Sequence, residues 1–496
     1  MNQASHAFRF AILTAAVLAV LFRVAYTRAD VDLWGHVRFG LDTLEHERLD
    51  RADPYSFTSD RPWINHEWLS EVAFAAAWKN AGNAGLIAVK LACFFGAVML
   101  VGVTLRGQGV RSRALALAVA FASLAIVPRV THIRPQLFSV LLFSALLYLL
   151  DRSERRTAVL YWAVPLVALW ANLHGGWLVG LGTLVLWSIA VAVHVRRIGV
   201  LVVPLAAAAA TLINPYGTGL WSFLAETVRL GREGITEWGP IWTNASRLAV
   251  WITMSAVVVL ILLKARPANL GRLLVPAVWG LAAFRVNRLD AFFALSVVAL
   301  LLPQLRRFIP IMDEGGPNQS WIAAVPRRTR VLLVGAVLAA AALLPPARRA
   351  VSCVEVTPSW WPEPEAAAFL RSQRLAGRMV TYFNWGEYAI WFAPASLKVS
   401  FDGRRETIYS EATIQGHLEL YNATPAGFAY LQGLQADYVW LPVDLTVTQM
   451  LVDRGWRPIF SGPASVVLAE HANAARHPTS TVVSSAVGLA RCFPGP

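Results

Sequence analysis

The sequence predicts an α-helical polytopic membrane protein with a C-terminal α/β domain outside the membrane. Of its 496 residues, 56% are hydrophobic and only 15% are charged, which is too little polar surface for a soluble chain of this length. Apolar stretches long enough to cross a bilayer recur along the first two thirds of the chain. After about residue 350 the pattern changes to short strands alternating with helices. These observations together define the fold class.

The apolar stretches predict about eleven transmembrane helices, several of them short for a hydrocarbon core of about 30 Å. The first stretch is longer than the core of a cleavable signal, and no small-residue cleavage pattern follows it, so it is expected to remain as a span. The predicted spans are 8–26, 84–105, 114–128, 135–150, 157–173, 176–194, 198–213, 248–263, 270–284, 289–305 and 331–346.

Basic residues between these spans predict the orientation. Five arginine- and lysine-rich loops fall on one side of the membrane, which the positive-inside rule makes the cytoplasm. The N-terminus is then inside and the C-terminal domain outside a bacterial inner membrane. The Lys and Arg residues of these loops account for the net charge of +14. Because no nucleic-acid-binding module is visible, this charge does not indicate nucleic-acid binding. The basic residues are Arg106, Arg111, Arg113, Arg152, Arg155, Arg156, Arg196, Arg197, Lys264, Arg266, Arg272, Arg306, Arg307, Arg327, Arg328 and Arg330.

Two domains are predicted from this layout. Residues 1–349 form the transmembrane domain, with a long acidic first outer loop at 27–83. Residues 350–496 form a periplasmic α/β domain, in which RMVTYFNW, KVSFDGR, ADYVWLPV and PASVVLAE predict strands and 363–376 predicts a helix.

Several side chains of the C-terminal domain can be placed in advance. Phe383, Trp391 and Val439 are expected in its core. Asp402 and Arg404 follow an apolar strand, so they lie at its exit. There they either bind each other and the turn backbone or touch a substrate.

The three cysteines do not predict a metal centre, because no Cys-x-x-Cys or Cys/His cluster occurs. Cys93 lies in an apolar run and is expected to be inert packing. Cys353 and Cys492 both fall in the region placed outside, and the sequence leaves open whether they pair.

The first candidate site residues lie just after the first span, in the stretch DVDLWGH. Its carboxylates, Asp30 and Asp32, could act as a general base or bind a divalent cation at the mouth of a membrane cavity, with His36 nearby. They could equally be solvated loop carboxylates or a helix N-cap. The following stretch, Leu33 to Leu44, predicts an amphipathic helix lying on the membrane surface.

A second group, HEWLSE, lies at the far end of the same loop and contains His66 and Glu67. The stretch lacks the second histidine of a zinc-protease motif, which excludes that class. It is either functional or the start of an interfacial helix, with tryptophans as anchors and acids in the first turn.

A third group is basic and lies on the side of the membrane where positive charge is disfavoured. Each member could be snorkelling or paired with a nearby acid, such as Arg288 with Asp290. Together they predict a phosphate-binding cluster, since arginine suits multidentate phosphate recognition. The group contains Arg129, His132, Arg134, His174, Arg285 and Arg288.

In this layout the sequence resembles the GT-C glycosyltransferase superfamily, polytopic enzymes that use polyprenyl-phosphate-linked sugars. The shared features are an N-terminus inside, a long first outer loop, an acidic motif soon after the first span and often a soluble C-terminal domain. The stretches DVDLWGHVRFG, DPYSFTSDRPWINHEWLSE, NWGEYAIWFAP and KVSFDGRRE are similar to a large set of mostly uncharacterised bacterial membrane proteins grouped with these enzymes on layout. By topology the resemblance covers about the first 350 residues.

The resemblance implies a glycosyltransferase that moves a hexosyl or pentosyl group from a polyprenyl-phosphate donor to an acceptor hydroxyl on the periplasmic side. Asp30 or Asp32 would activate the acceptor. On the charge pattern of the sequence alone, Glu67 is a third candidate catalytic acid and the arginines would stabilise the leaving phosphate. A divalent cation, Mg or Mn, is optional in the superfamily, and the same three acids could bind one. The implied partners are a lipid-linked sugar donor, membrane lipids and an acceptor glycan, lipid or protein.

Two other functions stay open, namely a transporter or flippase of a lipid-linked or anionic substrate and a non-catalytic envelope assembly protein. The charges gather on one side and no inverted repeat is visible, which disfavours transport. A separation of more than about 20 Å between Asp32 and Arg134 would exclude the transfer mechanism. We expect one outer cavity to be lined by Asp30, Asp32, His66, Glu67, Arg129, Arg134 and Arg285, with His36 and His174 at its edge.

Overall fold

The structure is a computed structural model and describes residues 3–110, 112–196, 198–229, 236–264, 269–307, 325–357, 361–482 and 491–495. The chain divides into two compact units, and each is described separately below. Unit 1 comprises Met1–Tyr26, Ile87–Thr131 and Pro135–Val351, and unit 2 comprises Thr27–Leu86, His132–Arg134 and Ser352–Pro496.

Most of the described residues are helical. The α-helices are α1 (Gln3–Ala25), α2 (Leu33–His46), α3 (Trp68–Gly107), α4 (Ser112–Ile126), α5 (Gln136–Ser153), α6 (Ala163–Leu173), α7 (Trp177–Val195), α8 (Val202–Ala210), α9 (Gly219–Arg229), α10 (Ala245–Lys264), α11 (Gly271–Arg285), α12 (Asp290–Ser296), α13 (Arg327–Leu343), α14 (Pro345–Ser352), α15 (Pro364–Ser372), α16 (Gly386–Phe392), α17 (Glu411–Tyr421), α18 (Pro425–Leu434), α19 (Thr446–Asp453) and α20 (His471–Ala474). The strands are β1 (Thr27–Arg28), β2 (Val354–Val356), β3 (Gly377–Thr381), β4 (Leu397–Val399), β5 (Tyr438–Pro442), β6 (Arg457–Ser461), β7 (Ser465–Ala469), β8 (Ser480–Thr481) and β9 (Arg491–Cys492).

Within the described residues, six helices are long and apolar enough to cross a membrane, or seven if α13 and α14, which meet at 88°, form one bent span. The protein is therefore polytopic, as predicted, but the count of about eleven spans is not confirmed. Several predicted stretches instead form helices that are too short to cross by themselves. The six long helices are His6–Ala25, Trp68–Gly107, Gln136–Ser153, Trp177–His194, Ala245–Lys264 and Asn287–Leu305, and the shorter apolar ones are Leu115–Arg129, Thr157–Leu173 and Ile198–Ala210.

Helix α3 is broken near its middle, at Ala81 and Gly82. Gly82 has a φ of 55° and a ψ of −139°, a backbone conformation that glycine adopts without a Cβ clash. The apolar stretch that the sequence predicts from residue 84 begins directly after this break. The part of α3 that starts at Trp68 is therefore a separate helical segment, and it belongs to unit 2.

The sequence placed Arg272 in a basic loop, but the structure buries it in the first turn of α11. One of its Nη atoms lies 2.8 Å from Asp151 and 2.7 Å from Glu154, because a buried guanidinium needs acceptors around it. Arg272 therefore ties helices of unit 1 together. Three other predicted loop residues lie outside the described residues, namely Arg111, Arg197 and Arg266.

Unit 2 contains a six-stranded sheet of order β4-β3-β5-β7-β6-β8. Strands β4, β3 and β5 are parallel, and β7 pairs antiparallel with both β5 and β6. The α/β domain predicted for the C-terminal region is confirmed. Val439 is fully buried in its core, as predicted, whereas Phe383 and Trp391 are only half-buried. Both lie on short helical segments that follow β3 rather than on a central strand.

A three-stranded sheet in unit 2 joins segments that are distant in sequence. Strand β1 pairs in parallel with β2, and β2 pairs antiparallel with β9. A disulfide links Cys353 to Cys492, whose Cα atoms are 5.0 Å apart, which answers the question that the sequence left open. Cys93, in unit 1, is a free and buried thiol.

Helix α2 forms where the sequence predicts it, but it is not a membrane-surface helix. Trp34 is fully buried, with its ring centroid 4.3 Å from Trp361, 5.4 Å from Tyr388 and 5.2 Å from Phe493. Its indole N–H donates to the carbonyl oxygen of Pro494 at 2.8 Å. The apolar face of α2 packs inside unit 2 because the C-terminal region supplies aromatic partners for it.

Candidate functional site

The two acids of the DVDLWGH stretch lie in a turn between β1 and α2. The backbone N–H of Ala29 donates to the carbonyl oxygen of Glu355, so β2 fixes the chain just before Asp30. The N–H of Asp32 donates to Oδ1 of Asp30 at 3.2 Å, which closes the turn. Asp32 is the N-cap residue of α2, but its side chain makes no capping hydrogen bond. Its carboxylate is therefore available for contacts away from the helix.

Arg134 binds both of these acids within unit 2. Its Nε donates to Oδ1 of Asp30 at 2.6 Å, and its Nη2 lies 2.5 Å from the same oxygen and 3.2 Å from Oδ2 of Asp32. Nδ1 of His132 lies 3.8 Å from the other oxygen of Asp30. The Asp30 side chain is buried, whereas the Asp32 side chain is 24% exposed. Asp32 is thus the acid of this pair that a substrate can reach.

The environments of Asp30 and Asp32 set their pKa values apart. Burial raises the pKa of Asp30, but the charges of Arg134 and His132 outweigh it and leave that pKa below its ordinary value. Burial raises the pKa of Asp32 to about 6, with the charge of Asp30 adding to the rise and that of Arg134 opposing it. Divergent pKa values in neighbouring acids are a pattern of acid–base sites. Asp30 stays ionised, and Asp32 titrates near neutral pH.

His36 follows one helical turn after Asp32 and is held by a buried acid. Its Nδ1 lies 3.3 Å from Oε1 of Glu71, and the amide of Asn65 donates to the other oxygen of Glu71 at 2.5 Å. Burial lowers the pKa of His36, but the hydrogen bond to Glu71 and the charge of Glu67 raise it more, so the net shift is upward. In the HEWLSE stretch, Nε2 of His66 lies 3.6 Å from Oε1 of Glu67.

The C-terminal region of unit 2 brings a further acid to Asp32, and sequence reasoning missed it. Glu387, in the first turn of α16, is buried, and its Oε2 accepts the backbone N–H of Gly35 at 3.0 Å. An ideal Cβ on Gly403 would lie 2.4 Å from Oδ1 of Asp32 and 2.7 Å from Oε1 of Glu387. We call Asp30, Asp32, Arg134 and Glu387 the acidic cluster. Glu387 lies in the quoted stretch NWGEYAIWFAP, but nothing in that stretch marks it as a site residue.

Asp402 and Arg404, which the sequence placed at a strand exit, bind each other. Nε of Arg404 donates to Oδ1 of Asp402 at 2.9 Å, and one Nη donates to Oδ2 at 2.7 Å. The hydroxyl of Tyr409 also donates to Asp402, at 2.8 Å. The other Nη of Arg404 donates to Asp53 of the first loop at 2.6 Å. Both residues of the turn are buried, so they brace the fold around the acidic cluster.

The other predicted basic residues belong to unit 1. Nε of Arg129 donates to Oδ1 of Asp290 at 2.9 Å, and Arg129 also donates to the side chain of Asn287. Nη1 of Arg247, which sequence reasoning missed, lies 2.5 Å from the other oxygen of Asp290. Two guanidinium groups therefore share one carboxylate. Arg288 lies over the ring of Trp238 at 5.5 Å, and Arg285 is exposed at the end of α11.

His174, also in unit 1, has a defined tautomer. Its Nδ1 accepts the backbone N–H of Gly176 at 3.0 Å, so that nitrogen carries no proton. The Ser139 hydroxyl, 2.6 Å away, then donates to it, and Trp170 donates its indole N–H to Ser139. The predicted single cavity thus draws on residues of both units. Asp30, Asp32, His36, His66, Glu67 and Arg134 lie in unit 2, and Arg129, His174, Arg285 and Arg288 lie in unit 1.

Within the part of the chain that the structure describes, no three His, Cys, Asp or Glu side chains are arranged to hold a metal ion. Asp30, Asp32 and Glu67 therefore do not form a ligand set here. The guanidinium of Arg134 is the cation that contacts both aspartates.

No protein-family model and no curated protein matches the sequence. Solved structures match in fold. The crystal structure of ArnT from Cupriavidus metallidurans in the apo state has a TM-score of 0.51 at 12% identity, over 93% of this chain and 98% of that chain. The same protein bound to undecaprenyl phosphate has a TM-score of 0.49 at 13% identity, over the same shares of the two chains. The chain therefore has a GT-C-like fold, as the resemblance predicted, and at this identity the likeness concerns the fold alone.

Proposed function

We propose that this chain is a membrane glycosyltransferase that moves a sugar from a polyprenyl-phosphate donor to an acceptor hydroxyl. The observation that carries the proposal is the position of Asp32, a partly exposed carboxylate 3.2 Å from Arg134 and next to the buried Asp30. On a GT-C-like fold, a carboxylate fixed beside a cation suits the removal of a proton from an acceptor.

In the proposed reaction Asp32 accepts the proton of the acceptor hydroxyl. The hydroxyl oxygen then bonds to the anomeric carbon of the donor sugar, and the bond from that carbon to the phosphate oxygen breaks. Its electron pair leaves with the polyprenyl phosphate. Asp30 remains ionised and holds Arg134, and Arg134 favours the ionised form of Asp32. A base whose pKa lies near the working pH is largely ionised and is still a strong enough proton acceptor to assist the reaction.

The donor phosphate needs a site with net positive charge. In unit 1, Arg129 and Arg247 both bind the carboxylate of Asp290. Within unit 1, we propose this arginine pair as an anion-binding site, with Arg285 and Arg288 as further contributors, because arginine suits phosphate recognition.

We place the reaction on the periplasmic side of the bacterial inner membrane. The disulfide between Cys353 and Cys492 supports this placement, because disulfides persist in oxidising compartments and are rare in the cytosol. The basic loops that the sequence assigns to the cytoplasm support the same orientation.

The experiment is a transfer assay in proteoliposomes with labelled sugars on polyprenyl phosphates, followed by extraction of labelled acceptor. ArnT from Cupriavidus metallidurans has been crystallised with undecaprenyl phosphate, so undecaprenyl-phosphate-linked sugars are the first donors to test. Asp32→Asn keeps the shape and removes the base, so transfer should fall at least a hundredfold. The matched control is Asp453→Asn, an exposed aspartate at the end of α19, which should transfer normally.

The alternative of a transporter or flippase gives a different result in the same vesicles. It would move the intact lipid-linked sugar across the bilayer without forming a labelled acceptor. Transport with no transfer for every donor in the panel would overturn the proposed function.

A further inference from the structure

The acidic cluster draws on two distant parts of unit 2, the first loop and the C-terminal α/β region. Glu387 lies in the first turn of α16, just after β3, and only 4% of it is exposed. Gly35 lies in the first turn of α2. A Cβ at position 35 would lie 2.1 Å from Oε2 of Glu387, so a side chain there would displace the Glu387 carboxyl group.

The two oxygens of Glu387 have different surroundings. Oε2 accepts the backbone N–H of Gly35. Oε1 points toward Gly403 and Asp32, and no described residue hydrogen-bonds to it. From the two distances to the Cβ position of Gly403, Oε1 of Glu387 and Oδ1 of Asp32 lie within about 5 Å of each other. A single oxygen atom can therefore reach both groups at hydrogen-bond distance.

The charges around Glu387 decide its protonation. Asp32, Asp402 and Glu71 are acids that face it, and the cation among its neighbours, Arg404, is already bound to Asp402 and Asp53. Burial and then the charge of Asp32 raise the pKa of Glu387 well above its ordinary value. Asp32 has Arg134 beside it, and Glu387 forms no ion pair with any described residue. When the two acids share one negative charge, it therefore resides on Asp32.

We propose that Glu387 is an acceptor-binding residue supplied by the C-terminal domain, which donates a hydrogen bond from Oε1 to the acceptor hydroxyl while Asp32 takes the hydroxyl proton. This inference rests on the proposed function and deepens it. One hydroxyl oxygen accepts from Glu387 and donates to Asp32, so two acids with opposite roles fix its position. Glu387 keeps its own proton throughout, and the hydroxyl proton ends on Asp32. The C-terminal domain thus recognises the acceptor.

The first arm of the test is infrared spectroscopy of the full-length protein in nanodiscs at pH 7. A protonated carboxyl has a carbonyl stretch that a carboxylate lacks. We expect the wild type to show a protonated-carboxyl band that loses intensity in Glu387→Gln. The matched control is Glu411→Gln, an exposed glutamate in the first turn of α17, which should keep the band. Identical spectra for wild type and Glu387→Gln would overturn the proposal.

The second arm is transfer kinetics. Glutamine keeps a donor at the same place, so Glu387→Gln should hold the acceptor KM within about threefold of the wild type. Glu387→Ala should raise the acceptor KM about tenfold, the effect of one lost hydrogen bond, with the donor KM unchanged. An unchanged acceptor KM in Glu387→Ala, or an equal rise in the donor KM, would overturn the assignment. A wild type that transfers no sugar would instead overturn the proposed function, and the acceptor role with it.

Discussion

Arg404 binds Asp53 across 351 residues of chain, with Nη1 of the arginine 2.6 Å from Oδ1 of the aspartate. The guanidinium also binds Asp402 and lies over the rings of Phe39 and Trp63, at 4.8 and 4.9 Å. Carboxylates and aromatic faces of the first loop thus surround a cation of the C-terminal region. The first loop and the C-terminal region belong to the same compact unit, and the acidic cluster forms only where they pack together.

Removal of the Arg404 side chain should destabilise unit 2 strongly. Arg404→Ala leaves Asp402 buried without its cation, which costs about 3 kcal/mol or more. We expect a fall in the Tm of the purified protein in detergent and faster proteolysis of the C-terminal region. Arg457→Ala, at an exposed position of β6, is the control and should melt as the wild type does. Equal melting of both variants would contradict the stated role of Arg404.

Transfer should depend on pH through Asp32. The base must be ionised, so kcat/KM should rise with pH through an apparent pKa near 6 and level off above it. The charge of Arg134 lowers the pKa of Asp32, so Arg134→Gln should shift this limb to higher pH. The measurement is the pH profile of kcat/KM in proteoliposomes from pH 4.5 to 9. A limb that stays in place in Arg134→Gln would show that another group titrates.

Gly35 should not tolerate a side chain. A Cβ there would lie within 3 Å of three atoms of the buried Glu387 side chain, so Gly35→Ala should push that side chain out of its place beside Asp32. We expect transfer to fall at least tenfold and the Tm to drop by several degrees. Gly433→Ala, in helix α18, meets nothing within 4 Å and should leave transfer unchanged with an equal or higher Tm. Similar losses in both variants would remove the steric argument.

The stability of unit 2 should fall in mild acid because of His417. Burial lowers its pKa from 6.5 to about 4, and its ring stacks on Phe401 at 4.6 Å. Above pH 6.5 neither the folded nor the unfolded chain protonates this ring. Between pH 6.5 and 4 only the unfolded chain does, so stability is lost over that window, by on the order of 3 kcal/mol.

The test of His417 is the urea midpoint measured by tryptophan fluorescence between pH 4 and 8. His417→Gln keeps a hydrogen-bond donor for the Thr413 carbonyl oxygen but cannot titrate. The variant should be less stable at pH 8 and show a flatter dependence on pH. Parallel curves for the variant and the wild type would assign the acid sensitivity to other groups.

The orientation can be tested directly with reporter fusions. We expect fusions at residues 110, 154 and 330 to report the cytoplasm and fusions at 55, 230 and 400 to report the periplasm, from the distribution of basic residues. In cells, Cys353 and Cys492 should resist alkylation until a reductant is added. A cytoplasmic signal at residue 400 would overturn this orientation.

Local patterns made parts of the fold predictable. Strands β3, β4, β5 and β7 follow from apolar stretches bounded by turn residues. Strand β6 was not predicted, because Pro458 interrupts the apolar pattern and the register shifts between Pro458 and Phe460. The surface assignment of α2 was wrong since its partners, such as Phe493, come hundreds of residues later.

Part of the candidate site was predictable because charged residues close to apolar membrane-spanning stretches are energetically costly and therefore stand out in the sequence. Asp30, Asp32 and Arg134 stood out as charges near the ends of apolar stretches, and the structure brings them together. Glu387 did not stand out, because acidic residues are common in the first turn of a helix, where the helix dipole favours negative charge. Arg247 was missed because it precedes an apolar stretch and resembles an ordinary flanking residue.

The indole of Trp34 donates to the carbonyl oxygen of Pro494, a residue 460 positions later in the sequence. During biosynthesis, helix α2 therefore emerges long before the last of its packing partners is made. Until Phe493 and Pro494 have been made, Trp34 lacks part of its cover. A chain truncated before Cys492 loses this contact and the disulfide to Cys353 together, so its α2 should be less firmly held.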